Sequence, residues 1–289
     1  MGPSPRSTRL PPVSPIPCFD PASDRDVSLY DELPLWSALA GELLLEGVTL
    51  AGARRVLDLG CGTGFPLLEI AERLGPRAFT VGLDPWRVAL GRARAKVSRW
   101  CPLSAAAVCG QGAALPFRAG AFDLVVSNLG VNNFDEAAGA LRECRRVLKP
   151  GGILGLSSNL VGHMRELYAA FERALAVAGD RDALERLRHH VEHRATVASL
   201  RASLEAAGLR VTRVREREAL MRFADADALF AHHFIRLGFR PAWEEIAAPA
   251  SLAALRVELD RTASAEGELR LTIPLAYLEA RRPPDPGVR

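Results

Sequence analysis

The residues of this chain that could do chemistry gather at glycine-rich turns. Val56-Leu57-Asp58-Leu59-Gly60-Cys61-Gly62-Thr63-Gly64 reads as an apolar strand running into glycines that open a helix. Glycine permits positive φ and lets a bulky ligand lie against the main chain at a helix N-terminus. Taken alone, this spacing also has a plain reading, a strand that happens to end in glycine. Gly82-Leu83-Asp84 ends a second apolar stretch, with Asp84 twenty residues after Gly64. A carboxylate at the tip of a second strand is placed to accept two hydrogen bonds from a ribose diol. It could equally cap the next helix, with Pro85 in its first turn, and one side chain can do both.

Two further segments follow at regular intervals. Gly110-Gln111-Gly112-Ala113-Ala114-Leu115-Pro116-Phe117 precedes Gly120-Ala121-Phe122-Asp123 and an apolar run. Leu141-Arg142-Glu143-Cys144-Arg145-Arg146-Val147-Leu148-Lys149-Pro150-Gly151-Gly152 reads as a helix stopped by Pro-Gly-Gly before the next strand.

The elements that must position these residues alternate along the chain. Short, apolar, glycine-bounded stretches at 54–59, 78–83, 104–109, 122–127 and 152–157 suit buried strands. Helical patterns fill the gaps at 64–74, 86–98, 136–147 and 162–178, then a helix at 195–206 leads to strands at 209–217 and 268–278. Such alternation predicts an α/β, doubly wound, mostly parallel sheet. The stretches near 179–194 and 223–263 are helical insertions into that series. Residues 1–25 are dense in Pro and Ser and read as a disordered leader, with 281–289 as a flexible tail. Residues 26–50 then form a leading helix, and 51–280 the main domain.

The four segments, in this order and spacing, resemble the class I S-adenosylmethionine (AdoMet)-dependent methyltransferases. The likeness is to the small-molecule branch that includes the ubiquinone/menaquinone-biosynthesis and arsenite enzymes, and it spans about residues 28–220. It implies a Rossmann-like seven-stranded sheet whose final strand is antiparallel, with 209–217 and 268–278 as the closing pair. It further implies that Asp58 and the Gly60-Cys61-Gly62-Thr63-Gly64 loop hold the methionine part of AdoMet, and that Asp84 takes the ribose hydroxyls. Pro85 and Trp86 would flank the adenine. Gln111 and Gly112 fall at its amino edge, where an amide oxygen can replace the usual acid as acceptor. The backbone of Asn128 and Leu129 would line the sulfonium side. Tyr30 and Asp31 would be the counterparts of a Tyr-Asp pair on a lid folding over the cofactor.

The acceptor side is less determined. His163 is the candidate general base, because it opens the helix after the fifth strand and imidazole titrates in a useful range. A hydrogen-bonded histidine at a helix start explains it as well. His232 and His233 lie in an apolar helical run. His189 and His193 share a helix face, but RLRHHVEHR is strongly cationic and suits a solvated helix better than a metal site. No metal is expected. Arsenite is disfavoured, since Cys61 belongs to the loop, Cys109 to a strand and Cys144 to a helix facing the sheet, which leaves Cys18 free to move.

Net charge is +3, from 37 basic and 34 acidic side chains, too small an excess for a nucleic-acid footprint. The strand-four ending Ser-Asn-Leu-Gly also differs from the Asn-Pro-Pro-Tyr of many nucleic-acid and protein amino-methyltransferases. No apolar run approaches the ~18 residues of a membrane span. Scattered, odd-numbered cysteines suit a reducing cytoplasm. A small-molecule methyl acceptor is the expected partner, and the oligomeric state stays open. The competing readings are a non-catalytic AdoMet-binding protein and an NAD-dependent dehydrogenase; Gly-x-Gly-x-Gly in place of Gly-x-Gly-x-x-Gly tells against the second.

Overall fold

The computed structural model describes residues 20–32, 35–101, 103–192 and 194–284. The leader expected over 1–25 lies outside the described residues up to residue 19, as does the tail from 285, and so does Cys18.

Seven strands form one sheet in the order β3-β2-β1-β4-β5-β7-β6. β1 (Arg55–Leu59), β2 (Phe79–Asp84), β3 (Ala105–Cys109), β4 (Phe122–Asn128) and β5 (Leu148–Asn159) run parallel. β7 (Leu269–Arg281) pairs antiparallel with both β5 and β6 (Arg210–Phe223), so it alone is reversed. The expected seven-stranded, doubly wound sheet with an antiparallel final strand is present. A dinucleotide-binding sheet of order 3-2-1-4-5-6 lacks this inserted reverse strand, which removes the structural basis for the dehydrogenase reading.

Helices cover both faces: α1 (Asp24–Glu32), α2 (Leu35–Gly47), α3 (Leu67–Leu74), α4 (Arg87–Trp100), α5 (Ala137–Val147), α6 (Arg165–Ala178), α7 (Arg181–Glu192), α8 (Val197–Ala206), and a cap of α9 (Ala226–Ala231), α10 (His233–Gly238), α11 (Arg240–Ile246) and α12 (Pro249–Glu266). Successive strand side chains point to opposite faces. Val56, Leu124 and Val126 therefore join one core with α2, α6 and the cap. Leu57, Leu59 and Val125 join another with α5 and α8. Because both faces are buried, the central strands are apolar throughout rather than alternating, as their sequences show.

Several boundaries differ from the sequence reading. The leading helix is two helices, α1 and α2, with Pro34 in the sequence between them; proline cannot donate to the helical ladder and disfavours helix at the residue before it. Helix α1 begins at Asp24, inside the segment read as leader. Strand β5 starts at Leu148 rather than at Gly152: the register jumps from Phe122↔Leu148 to Leu124↔Ile153, so Pro-Gly-Gly forms a bulge. Gly151 there has φ +78°. The bulge is pinned by Arg282, whose carbonyl accepts from Gly151 N–H (2.9 Å) and whose N–H donates to Gly152 O (3.0 Å). That pairing extends the ordered chain past the expected boundary at 280. Finally, β6 continues to Phe223, and the inserted helices follow it.

Candidate active site

The strand order reverses direction at β1, with β2 on one side and β4 on the other. In open α/β sheets the crevice beyond the carboxyl ends of such strands is where ligands bind. A cleft of about 980 Å³ opens there. Its wall includes Gly60 and Gly62 after β1, Asp84, Pro85 and Trp86 after β2, Asn128 and Leu129 at the end of β4, and Tyr30 of α1. These residues, separated by up to a hundred positions in sequence, converge on one cavity.

The turn after β1 is shaped by hydrogen bonds. Gly60 N–H donates to Leu83 O (2.8 Å) and Gly64 N–H to Cys61 O (2.8 Å). Gly60 (φ +82°) and Gly62 (φ +50°) are left-handed. A Cβ on Gly60 would lie 3.1 Å from the Gly130 Cα, whereas one on Gly62 would meet no protein atom within 4 Å. The first glycine allows two loops to approach; the second leaves the floor of the cleft bare.

Asp84 ties this turn to the second strand. One carboxylate oxygen accepts from Gly62 N–H (2.8 Å), the other from Trp86 N–H (2.8 Å). The second is an i, i+2 bond ahead of the helix and not the N-cap expected of Asp84: Trp86 occupies the N-cap of α4, with no side-chain cap bond. Each oxygen keeps a further acceptor site. Burial raises the Asp84 pKa above the usual carboxylate range, and the two N–H donors oppose the shift.

Asp58 is fully buried, and neither carboxylate oxygen has a hydrogen-bond partner among the described residues. Burial first, and then the neighbouring Asp84 charge, push its pKa up to about 8, against a weak pull from the Leu67 N–H. A buried carboxylate so poorly supplied with donors is costly and calls for a cationic or hydrogen-bonding partner.

Asn128 accepts from Ser157 Oγ–H (2.7 Å) and donates to Ser37 O (2.9 Å), fastening α2 to the strand ends. Leu129 has φ +60°, rare for a residue with a side chain. Its backbone is held by Leu129 N–H to Ser157 O (3.1 Å) and by Asn133 Nδ2–H to Leu129 O (3.1 Å). Strain of this kind, on the order of 1–3 kcal/mol, gathers at functional sites.

The leading helices are fastened over this end. Asp31 pairs with Arg92 (2.8 Å) and Lys96 of α4, and Lys96 Nζ also donates to Thr63 O in the glycine loop (3.0 Å). Burial would raise the Asp31 pKa, but these two cations hold it below the usual range. The Tyr30 ring lies 5.7 Å from that of Trp86, and Trp86 Nε1–H donates to Pro21 O (2.7 Å).

Other expected residues stand elsewhere. Cys61 and Gly64 shape the loop without forming the cavity wall; Cys61 is buried and Gly64 packs toward Ala93. Gln111 is exposed, and neither it nor Gly112 lines the cleft, whose wall in that quarter comes from Phe134 and the first turn of α5. His163 precedes α6 and is 1% exposed, with no partner for either ring nitrogen among the described residues. Trp36 and Phe239, which do line the cleft, pack on it at ring distances of 4.8 and 5.3 Å. Burial, then the Arg194 and His190 charges, lower its pKa well below that of free imidazole.

The segment read as a solvated cationic helix is not all solvated. His190 of α7 and Arg194 after it line the cleft, and His190 contacts the Tyr168 hydroxyl (3.1 Å). Ser199 and Ser203 of α8 and Phe234 of α10 also line it, and the sequence reading passed over them. The one local signal was the i, i+4 placing of Ser199 and Ser203, each next to one of the two buried leucines of α8, Leu200 and Leu204.

The chain is similar to several known proteins. Residues 57–156 match a family model described as a methyltransferase domain. The chain is 38% identical over 97 residues to a demethylmenaquinone methyltransferase of Lactococcus lactis subsp. lactis, a match covering 34% of this chain and 38% of that one. It is 28% identical over 247 residues to the nocamycin O-methyltransferase of Saccharothrix syringae, covering 80% and 86%. Among solved structures it is similar to the [4+2]-cyclase SpnF, with TM-score 0.53 and 24% identity over 86% of this chain and 82% of that one. That last likeness concerns the fold alone.

Proposed function

We propose that this chain is a class I AdoMet-dependent methyltransferase that transfers a methyl group from AdoMet to a small organic acceptor. The observation that carries the reading is the pairing of two unequal carboxylates across one glycine turn. Asp58, fully buried with only the Leu67 N–H near its carboxylate, fits the ammonium of an amino acid. Asp84, exposed to the cleft with acceptor capacity left, fits a diol. Few ligands other than an adenosyl amino acid carry both groups.

Bound there, AdoMet supplies a sulfonium-activated methyl, so the protein's task is to align an acceptor. Tyr30 and Trp86 form an aromatic corner beside Asp84 for the adenine. Gly62 leaves room for the ligand against the main chain, and the fixed Asn128-Leu129 backbone borders the place of the reacting centre. The α1–α4 ion pairs hold the lid and exclude water. Alignment of this kind is worth on the order of 7–11 kcal/mol of a barrier. Gln111 and Gly112 would reach the adenine edge only by a shift of their loop. His163 sits behind Trp36 and Phe239, so positioning rather than proton abstraction by His163 is the reading the geometry supports. The acceptor is a small molecule, as the names of the methyltransferase relatives suggest, and a cytoplasmic setting suits the free cysteines. No helix among the described residues is long and apolar enough to cross a membrane.

Titration calorimetry with AdoMet, S-adenosylhomocysteine and NAD tests the reading. Micromolar binding of the first two and none of the third is expected; the reverse pattern ends it.

A further inference from the structure

Away from Asp84, the cleft continues between β5 and the helical cap. Three aromatic side chains border this part: Trp36 stacks on Phe234 at 5.1 Å and meets Phe239 edge-on at 5.8 Å. Opposite in character stand His190 and Arg194, with the Ser199 and Ser203 hydroxyls of α8. Among the described residues lining the whole cleft, the one carboxylate is Asp84, at the other end.

Arg194 is under-used by its own protein. Its hydrogen bonds are long, Nη1 to His190 O at 3.3 Å and Nη2 to the Tyr168 hydroxyl at 3.4 Å, and its plane lies 5.8 Å over the Tyr168 ring. Its Nε is buried and has no partner among the described residues. No carboxylate among the described residues pairs with it, whereas Arg165 of α6 pairs with Glu218 at 2.7 Å. A guanidinium carries five donors in a rigid fork that matches a carboxylate, and leaving one of them buried and unsatisfied is costly. His163, in the same corner, is pushed toward its neutral form partly by the Arg194 charge, so a positive field is present where the cavity ends.

We propose that Arg194 binds a carboxylate on the methyl acceptor, whose apolar, ring-bearing body lies against Trp36, Phe234 and Phe239. The inference rests on the methyl-transfer reading and adds to it the acceptor's chemical class. The Ser203 hydroxyl, which also lines the cleft, supplies a further hydrogen-bond donor to the same group. Arginine here is a specificity residue: a neutral isostere of the acceptor would leave the guanidinium desolvated and unpaired, and such sites reject the analogue strongly.

The test uses the full chain saturated with S-adenosylhomocysteine. A panel of phenyl, naphthyl and medium-chain alkyl carboxylates is titrated by calorimetry beside the matching carboxamides. At least one carboxylate should bind about tenfold or more tighter than its amide, the size expected of a charged hydrogen-bonded pair. Arg194→Met should reduce that preference to within about twofold without changing amide binding, and Arg194→Lys should retain part of it. Both variants should keep the wild-type affinity for S-adenosylhomocysteine, which also reports that they are folded. A wild-type chain with no carboxylate preference anywhere in the panel, or a preference that survives Arg194→Met, overturns the proposal. Failure of wild-type chain to bind S-adenosylhomocysteine overturns the methyl-transfer reading instead, and the panel without it then judges Arg194 alone.

Discussion

Asp84→Asn separates the two jobs assigned to this carboxylate. In the free protein the side chain accepts from Gly62 N–H and Trp86 N–H, both at 2.8 Å, one on each oxygen. An amide offers one oxygen, so one of these backbone donors would face an NH₂ group. An unsatisfied buried donor costs about 1–3 kcal/mol, less where cleft water can replace the acceptor. At about 2–4 °C per kcal/mol for a large domain, the melting temperature should fall by about 2–12 °C. Ligand binding loses more than that. A carboxylate receiving hydroxyl donors contributes about 1.5–3 kcal/mol, so the dissociation constant for S-adenosylhomocysteine should rise about 10- to 150-fold. Calorimetry on the folded variant, with melting followed by circular dichroism, reads both quantities. A variant that melts lower yet binds S-adenosylhomocysteine within twofold of wild type would show that Asp84 only braces the turn, and the ribose assignment would be refuted.

Three further outcomes follow from the same geometry. The Asp58 pKa is raised in the folded chain to about 8, so the folded state binds more protons than the unfolded one from about pH 4 to about pH 8, and ligand-free stability should fall as pH rises through that window. Saturating S-adenosylhomocysteine, whose ammonium meets the charged form, should flatten the fall and release close to one proton on binding at pH 6.5; Asp58→Asn should remove both effects, and a proton-neutral titration in buffers of different ionisation enthalpy would contradict the assignment. Gly60→Ala sets a Cβ at φ +82° and 3.1 Å from the Gly130 Cα, so it should lower stability by about 1–2 kcal/mol and weaken cofactor binding, whereas a neutral effect in urea unfolding would mean the two loops do not touch. His163→Phe keeps the packing against Trp36 and Phe239, so turnover on an identified acceptor should stay within about threefold with an unchanged pH profile; loss of the acidic limb together with a large fall in turnover would restore His163 as the base.

Much of this architecture was legible because its signals are local. The strand ends, the glycine turn and the acid at the tip of β2 are each contained in fewer than ten residues, and the parallel, doubly wound character of the sheet follows from their alternation with helices. The helix N-cap at Thr196, with its reciprocal Ser199 bond, likewise falls within the helix read at 195–206. What escaped depends on long-range convergence. Arg194 looked like one more charge in a cationic helix, and only the folding of α7 back against Tyr168 brings it to the cleft. Gln111 matched the position of a family acid by spacing alone, but its side chain faces solvent. Pro150-Gly151-Gly152 has the composition of a helix stop and is also a bulge, because the antiparallel β7 and Arg282 lie beside it to take up its backbone groups.

A crystal structure with S-adenosylhomocysteine bound tests the central claim most directly. The ribose hydroxyl oxygens should lie about 2.6–3.2 Å from the Asp84 carboxylate, the ammonium should approach Asp58, and the sulfur should sit beside the Asn128-Leu129 backbone. A ligand lodged elsewhere, with the turn at Gly60–Gly64 untouched, would contradict the account.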